Sequence, residues 1–351
     1  MHPKSYALKI VLFYLYNVQK ILIIQTAFIG DAILATALLE SIHQSIPDAS
    51  IDILVRKGNE SLFQQHPFIK QVLIWDKKQS KYKNLFGLLS TIRSSKYNVV
   101  INLQRFGATG FLTAFSGAAI TVGYNKNPFS IFFTKKIPHE LDQGLHEVDR
   151  NNKLVEWFAS ELHRQPKLYP TAEHVAKVQQ YLNKPFVCIA PNSVWFTKQY
   201  PEHKWIEFLN EIPAAYHVYL LGAPGDTESC ERIKSQTINS ENITVLAGKL
   251  SFLESAALME KAAMNYVNDS APMHIASAMN APVAAVFCST VPAFGFGPLS
   301  DQSFNIETKI ALTCRPCGLH GKKACPEGHF KCAETIGKEQ LLQVLGFKAE
   351  R

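Results

Sequence analysis

Residues 21–33 read ILIIQTAFIGDAI. The first five, residues 21–25, form a short apolar run of strand length, suited to burial on both faces of a sheet. A few small residues follow, and a helical run is expected over residues 31–45. Gly30 is expected to permit the tight hand-over from strand to helix. Asp31 then falls at the helix start, where a carboxylate serves as an N-cap and is favoured by the helix dipole. The same position suits a general base at the carboxyl end of a strand, and the spacing alone leaves both readings open. The loop lacks the GxGxxG pattern, which argues against a dinucleotide-dependent oxidoreductase.

Outward from this unit the pattern recurs. Strands are expected at residues 51–55, 72–75, 99–103 and 120–123, with a helix at 83–94. Past residue 185 come strands at 186–190, 218–221, 243–246, 266–268 and 283–287, and helices at 202–211, 226–236, 252–263 and 272–279. Short apolar strands alternating with helices indicate α/β architecture with parallel sheets covered on both faces. Pro166, Pro170 and Pro185 punctuate the break, and a helix fits between the last two. The expected division is a leading segment over residues 1–19, a first domain over 20–170 and a second over 171–351. Ligands of such sheets bind outside the carboxyl ends of the strands, so two doubly wound domains can face one central cleft.

Composition bounds the function. The chain has 351 residues, 47% hydrophobic and 19% charged, with a formal net charge of +7. That describes a globular chain with ample core, and the charge is modest for a nucleic-acid binder. Residues 1–170 carry 20 basic and 12 acidic residues, and residues 171–351 carry 16 and 17, so the excess belongs to the first half. Its clusters are Lys77, Lys78, Lys81 and Lys83, then Lys135 and Lys136. A basic first half suggests either an anionic partner there or charge that serves solubility alone. Residues 6–18 are largely apolar but interrupted by Lys9 and Asn17. They are shorter than the roughly 20 residues that span a bilayer, and no convincing signal-peptide cleavage site follows. Interfacial anchoring is one option for this segment. Seven Cys, an odd number, point to a reducing compartment and mostly free thiols.

Three later motifs carry chemistry. Residues 191–205, PNSVWFTKQYPEHKW, place Ser193, Thr197 and Lys198 after a strand of the second half. Lys198 is either a solvated surface cation or a phosphate ligand. Residues 265–278, NYVNDSAPMHIASA, end a strand at Asp269 and open a helix with Ser270 as N-cap and Pro272 in the first turn. The free N–H groups of that turn make an anion site, and Asp269 suits sugar hydroxyls. His274 lies near the helix start, and a lone His there is more often structural. The small polar loop 288–290 falls at the same sheet edge. Cys314, Cys317, Cys325 and Cys332 lie within nineteen residues, with His320 and His329 between them. They read as a structural zinc site, a disulfide pair or free thiols. Nothing in the pattern supports a catalytic metal.

These motifs in this order resemble the ADP-heptose:lipopolysaccharide heptosyltransferase family, glycosyltransferase family 9. The likeness runs over about residues 20–336 and rests on KILIIQTAFIGDAILATALLESI, SVWFTKQYPEHKW and NDSAPMHIASAMNAPVAAVF, the last being most diagnostic. The Cys-rich tail is similar to that of some members. The resemblance implies a GT-B fold, with two Rossmann-like domains, the acceptor on the first and the nucleotide-sugar donor on the second. It implies inverting sugar transfer without a metal ion or other required cofactor. By the same likeness Asp31 matches the catalytic base, and Lys198 a Lys on the donor phosphates. Ser193, Asp269, Ser270 and His274 match donor-binding positions, and Asp226 in LGAPGD matches a donor-side acid. Ala271 stands where many members have Gly, and Lys198-Gln199-Tyr200-Pro201 replaces the commoner Lys-Arg-Trp-Pro. Pro191-Asn192 likewise replaces a small residue. The implied partners are a nucleotide-sugar donor and an anionic glycolipid acceptor, with no nucleic acid. The implied location is cytoplasmic, peripheral on the inner face of the membrane. A nucleotide-sugar epimerase of similar build, which needs no acceptor, is the alternative enzyme. A sugar-binding protein is the non-enzymatic one.

Overall fold

Ile21, Leu22, Ile23 and Ile24 are wholly buried, each contributing about 1.5–3 kcal/mol by burial, so this run anchors a sheet interior. The computed structural model describes residues 20–140 and 144–346. The leading segment at 1–19, with its anchoring option, lies outside the described residues.

The chain divides into two compact units. The first runs to Gln143 and includes Glu147–Tyr169, and the second takes Gly144–His146 and everything from Pro170. In the first unit the elements are β1 (Lys20–Gln25), α1 (Ile29–Leu34), α2 (Thr36–Ser45), β2 (Ser50–Arg56), β3 (Ile69–Trp75), α3 (Lys81–Ser94), β4 (Val99–Asn102), α4 (Gly107–Ala114), β5 (Ile120–Tyr124), β6 (Lys135–Ile137) and α5 (Glu147–Asn152). In the second they are α6 (Ala172–Val178), β7 (Phe186–Ala190), α7 (Glu202–Leu209), β8 (His217–Leu220), α8 (Thr227–Gln236), β9 (Ile243–Val245), α9 (Phe252–Lys261), β10 (Asn265–Asn268), α10 (Ala271–Ala278), β11 (Val283–Phe287), β12 (Ser303–Glu307), α11 (Lys331–Glu334) and α12 (Lys338–Leu345).

Each unit holds a six-stranded sheet, ordered β3-β2-β1-β4-β5-β6 in the first and β9-β8-β7-β10-β11-β12 in the second. Every pairing is parallel. Both are the doubly wound order, in which the strand sequence reverses between the first and fourth strands. The ligand crevice of such a sheet opens at that reversal. It lies past the carboxyl ends of β1 and β4 in one unit and of β7 and β10 in the other. Helix contacts seal the second core: Trp205, Phe208 and Tyr266 are buried, with the Phe208 and Tyr266 rings 4.6 Å apart.

Two expectations change here. The helix expected over residues 31–45 is broken at Ala35 into α1 and α2. There the Thr36 hydroxyl donates to the Ile33 carbonyl at 2.6 Å and accepts the Lys167 N–H at 2.8 Å. Gly30 lies inside α1 and has no positive φ. The hand-over is made by residues 26–28, with extended Phe28 as the N-cap residue. No helix among the described residues is long and apolar enough to cross a membrane.

Candidate active site

In the second unit three loops converge past β7, β10 and β11. Asn268, the last residue of β10, ties two of them together. Its Oδ1 accepts the Tyr200 N–H at 2.9 Å and its Nδ2 donates to the Pro191 carbonyl at 2.7 Å. Tyr200 is itself fixed, its hydroxyl donating to the Ile336 carbonyl at 3.0 Å. This holds the 191–199 segment against the end of β10.

Lys198 closes a 3-10 turn, Phe196–Lys198. It is no solvated surface cation: its side chain is 16% exposed and its ammonium lies 2.7 Å from Asp269 Oδ2. Asp269 is 8% exposed, and the same oxygen accepts the Thr290 hydroxyl at 2.6 Å. The pair therefore stands at the strand-order reversal of its sheet. Ser270 is the N-cap residue of α10, but its hydroxyl does not cap the helix. It donates weakly to the Asn268 carbonyl at 3.4 Å. Pro272 has no N–H and the Met273 N–H donates to the Ser270 carbonyl at 3.1 Å, so what the helix start can offer a ligand is the N–H groups of Ser270 and Ala271. His274, in the first turns of α10, is buried, and its Nδ1 has no partner among the described residues. Burial pushes the imidazole pKa down to about 3, against the pull of Asp269 and with help from His146 and Lys198. The ring is neutral at pH 7 and offers a hydrogen bond, not charge.

Ser193 is half-buried in the Lys198 loop, with its carbonyl accepting Gln199 Nε2 at 2.6 Å. Asp226 sits apart, past β8, in the 3-10 turn Pro224–Asp226. Its Oδ2 accepts the Ala223 N–H at 2.8 Å. The structure thus sets four of the six residues expected on the donor side, Ser193, Lys198, Asp269 and Ser270, in the converging loops, His274 on α10 beside them, and Asp226 at a neighbouring strand end.

The Cys-rich tail packs onto this platform. Thr197 N–H donates to the Lys322 carbonyl, and its hydroxyl oxygen accepts the Lys322 N–H at 2.8 Å and the Ser289 hydroxyl at 3.0 Å. A Cβ on Gly321 would lie 2.5 Å from the Trp195 side chain and 2.9 Å from that of Lys198, so only glycine permits this approach. Arg315 locks the base of the tail. Its guanidinium donates to the carbonyls of Cys288 at 2.7 Å, Phe287 at 3.0 Å and Thr290 at 2.8 Å, and pairs with Glu307 at 2.6 Å. Arg315 has no local sequence signal, being one arginine in a tail read for its thiols.

The tail cysteines carried three readings: a structural zinc site, a disulfide pair or free thiols. All four cysteines are free, and among the described residues no three His, Cys, Asp or Glu side chains gather as a metal-ligand set. Cys332 is buried in the second unit's core, and burial pushes its thiol up to about 11. Burial also raises Cys317, whose thiol donates to the Cys314 carbonyl at 3.3 Å.

In the first unit Asp31 is the third residue of α1, inside the helix rather than its N-cap. It is half-buried just past the end of β1. Its charge raises the pKa of Glu147, where burial is the larger cause and Arg150 opposes both. Glu147 is committed elsewhere, accepting Arg150 Nε at 2.9 Å and lying 2.8 Å from its NH2 group. Arg150 is 2% exposed, so it is a buried cation held beside the two carboxylates. The opposite charges three residues apart in α5 were the available signal for this pair. Across the strand-order reversal Gln104 Nε2 donates to Gln25 Oε1 at 2.6 Å. Lys77 donates to the Thr26 carbonyl at 2.7 Å, so this member of the basic clusters braces the loop after β1.

The sequence profile of Glycosyltransferase family 9 (heptosyltransferase) matches residues 85–329. Lipopolysaccharide heptosyltransferase 3 of Escherichia coli is 28% identical over 282 residues, covering 75% of this chain and 82% of its own. A glycosyl transferase family 9 structure from Veillonella parvula superposes with a TM-score of 0.83 at 21% identity, covering 93% of this chain and 97% of its own. E. coli heptosyltransferase WaaC, solved with ADP-2-deoxy-2-fluoro heptose, superposes with a TM-score of 0.71 at 17% identity, covering 93% and 98%.

Proposed function

This chain belongs to glycosyltransferase family 9, the heptosyltransferase family, and from that premise we propose that it moves a heptose from ADP-heptose to a lipopolysaccharide core acceptor. It is a glycosyltransferase; the donor, the stereochemistry and the roles below are our reading. The observation that carries the reading is the Lys198–Asp269 pair at 2.7 Å, set beside the uncapped start of α10 at the strand-order reversal.

In this reading the second unit holds the donor. An ammonium has three donors and the Asp269 contact uses one, so Lys198 can meet the diphosphate while Asp269 and Thr290 hold it in place. The N–H groups of Ser270 and Ala271 at the start of α10 meet the same phosphates. Ser193 and neutral His274 supply hydrogen bonds to the donor, and Asp226 bounds its far side. Asp31 takes the proton from the acceptor hydroxyl as the oxygen bonds to the anomeric carbon. The bond from that carbon to the diphosphate oxygen breaks, and the sugar is transferred with inversion. Charge developing on the leaving diphosphate is met by Lys198 and the helix start, which supports departure without a metal ion. The acceptor is an anionic glycolipid, and the enzyme works on the cytoplasmic side at the membrane surface.

Thermal shift against ADP-, UDP-, GDP- and CMP-sugars tests the donor. A ligand at 100 times its Kd stabilises by about 2.7 kcal/mol. ADP-heptose is expected to raise the melting temperature most. Stabilisation by another nucleotide class, or by none, removes the donor assignment.

A further inference from the structure

We propose that one face of the first unit is a docking surface for an anionic lipid bilayer, formed by the exposed rings of α3, of Phe115 just past α4 and of the loop before β6 and by the cations of the same segment; the proposal rests on the glycolipid-acceptor reading. The charge is the first observation. Residues 77–139 contain ten Lys or Arg and no Asp or Glu. The excess of the first half is thus concentrated in 63 consecutive residues. Among the described residues Lys83, Arg93, Lys126 and Lys136 form no ion pair, and all four are exposed.

The second observation is a ring network in the same segment. Phe86 on α3 meets Phe111 on α4 edge to face at 5.8 Å. Phe111 meets Phe115 at 5.1 Å, and Phe115 meets Phe132 at 6.0 Å. Rings packed this way belong in a core, yet Phe86 is 60%, Phe132 57% and neighbouring Ile131 73% exposed. Arg93 is joined to the network directly, its guanidinium donating to the Phe115 carbonyl at 3.2 Å. Contiguous exposed apolar surface marks an interaction site. Aromatic side chains bordered by Lys and Arg are the chemistry of an anionic membrane interface, where rings enter the headgroup boundary and cations meet lipid phosphates. A second copy of this chain would set the same cations against each other, because the segment has no carboxylate to answer them. A bilayer with anionic headgroups answers all of them.

Flotation of the full chain with vesicles of phosphatidylcholine, with and without phosphatidylglycerol, tests the surface. Binding is expected to the phosphatidylglycerol vesicles and to weaken at high salt. Two variants, Phe86→Ser with Phe132→Ser and Lys83→Glu with Lys136→Glu, are each expected to lose roughly ten-fold or more of vesicle affinity. Their melting temperatures and far-UV circular dichroism should stay close to wild type, since the changed side chains are exposed. Absence of wild-type binding, binding unchanged in both variants, or concentration-dependent dimerisation abolished by them would overturn the proposal. Transfer to a deacylated, water-soluble core acceptor is measured alongside. It should proceed equally in wild type and variants, so wild-type enzyme that transfers to the soluble acceptor but does not bind the vesicles rejects the surface alone. Loss of transfer by the wild type rejects the enzyme reading.

Discussion

Asp31→Ala is expected to lose about 10²–10⁴-fold in turnover, the range set by removal of a positioned general base. Nucleotide-sugar affinity should stay within about two-fold, because the change lies in the first unit and the donor chemistry in the second. The prediction discriminates between two roles. Asp31 is the third residue of α1, where a carboxylate also stabilises the helix through its dipole by about 0.3–1 kcal/mol. If that were its whole role, Asp31→Ala would lower the melting temperature slightly and leave turnover unchanged. Asp31→Asn keeps the size and a hydrogen-bonding oxygen but cannot take a proton, so it should be as inactive as Asp31→Ala. Glu147 is the rival base. It already accepts Arg150 Nε at 2.9 Å and is raised in pKa chiefly by burial. Glu147→Gln should therefore disturb stability more than chemistry. Turnover retained in Asp31→Asn, or donor affinity lost in Asp31→Ala, would count against the assignment.

Lys198→Met is expected to weaken nucleotide binding by roughly 10- to 150-fold, matching the 1.5–3 kcal/mol typical of a hydrogen bond to a charged group. It should also destabilise the fold. Asp269 is 8% exposed and, among the described residues, its side chain keeps only the Thr290 hydroxyl when the cation is removed. Stranding a buried carboxylate costs on the order of 3–5 kcal/mol. The double variant Lys198→Met with Asp269→Asn separates the two effects. It removes the stranded charge and should recover most of the melting temperature, yet donor binding should remain weak. If the double variant recovers nucleotide affinity as well, Lys198 is only a structural partner of Asp269. Calorimetric titration with ADP alone reads the affinity without an acceptor.

The sheets were legible in sequence where strands are buried on both faces. Residues 21–25 and 186–190 carry no polar break that could be confused with a loop, and both are strands. The edge strands β6 and β12 were not legible. Lys135–Ile137 and Ser303–Glu307 each face a single neighbour and are largely polar, so neither reads as a buried run. Helix α4 was missed because GATGFLTA holds two glycines. One of them, Gly110, is required by a close approach to Asn127. At the site, the motifs read as donor-binding are contiguous in sequence, and the structure brings most of their residues together. The contacts that hold them come from far away. Thr290 reaches Asp269 across 21 residues, Lys322 reaches Thr197 across 125, and Arg315 reaches Cys288 across 27. Local spacing encodes none of these. The cysteine spacing left a metal, a disulfide and free thiols open because spacing alone says nothing of burial, and Cys332 is buried in the second unit's core.

Product analysis tests the central claim most directly. ADP-heptose is incubated with the enzyme and a chelator, with and without a lipopolysaccharide core acceptor, and ADP release and the anomeric configuration of the product are measured by NMR. The account predicts ADP release only with acceptor, in one-to-one ratio with a heptosylated product of inverted configuration. Donor conversion without acceptor, retained configuration, or arrest by the chelator would contradict it.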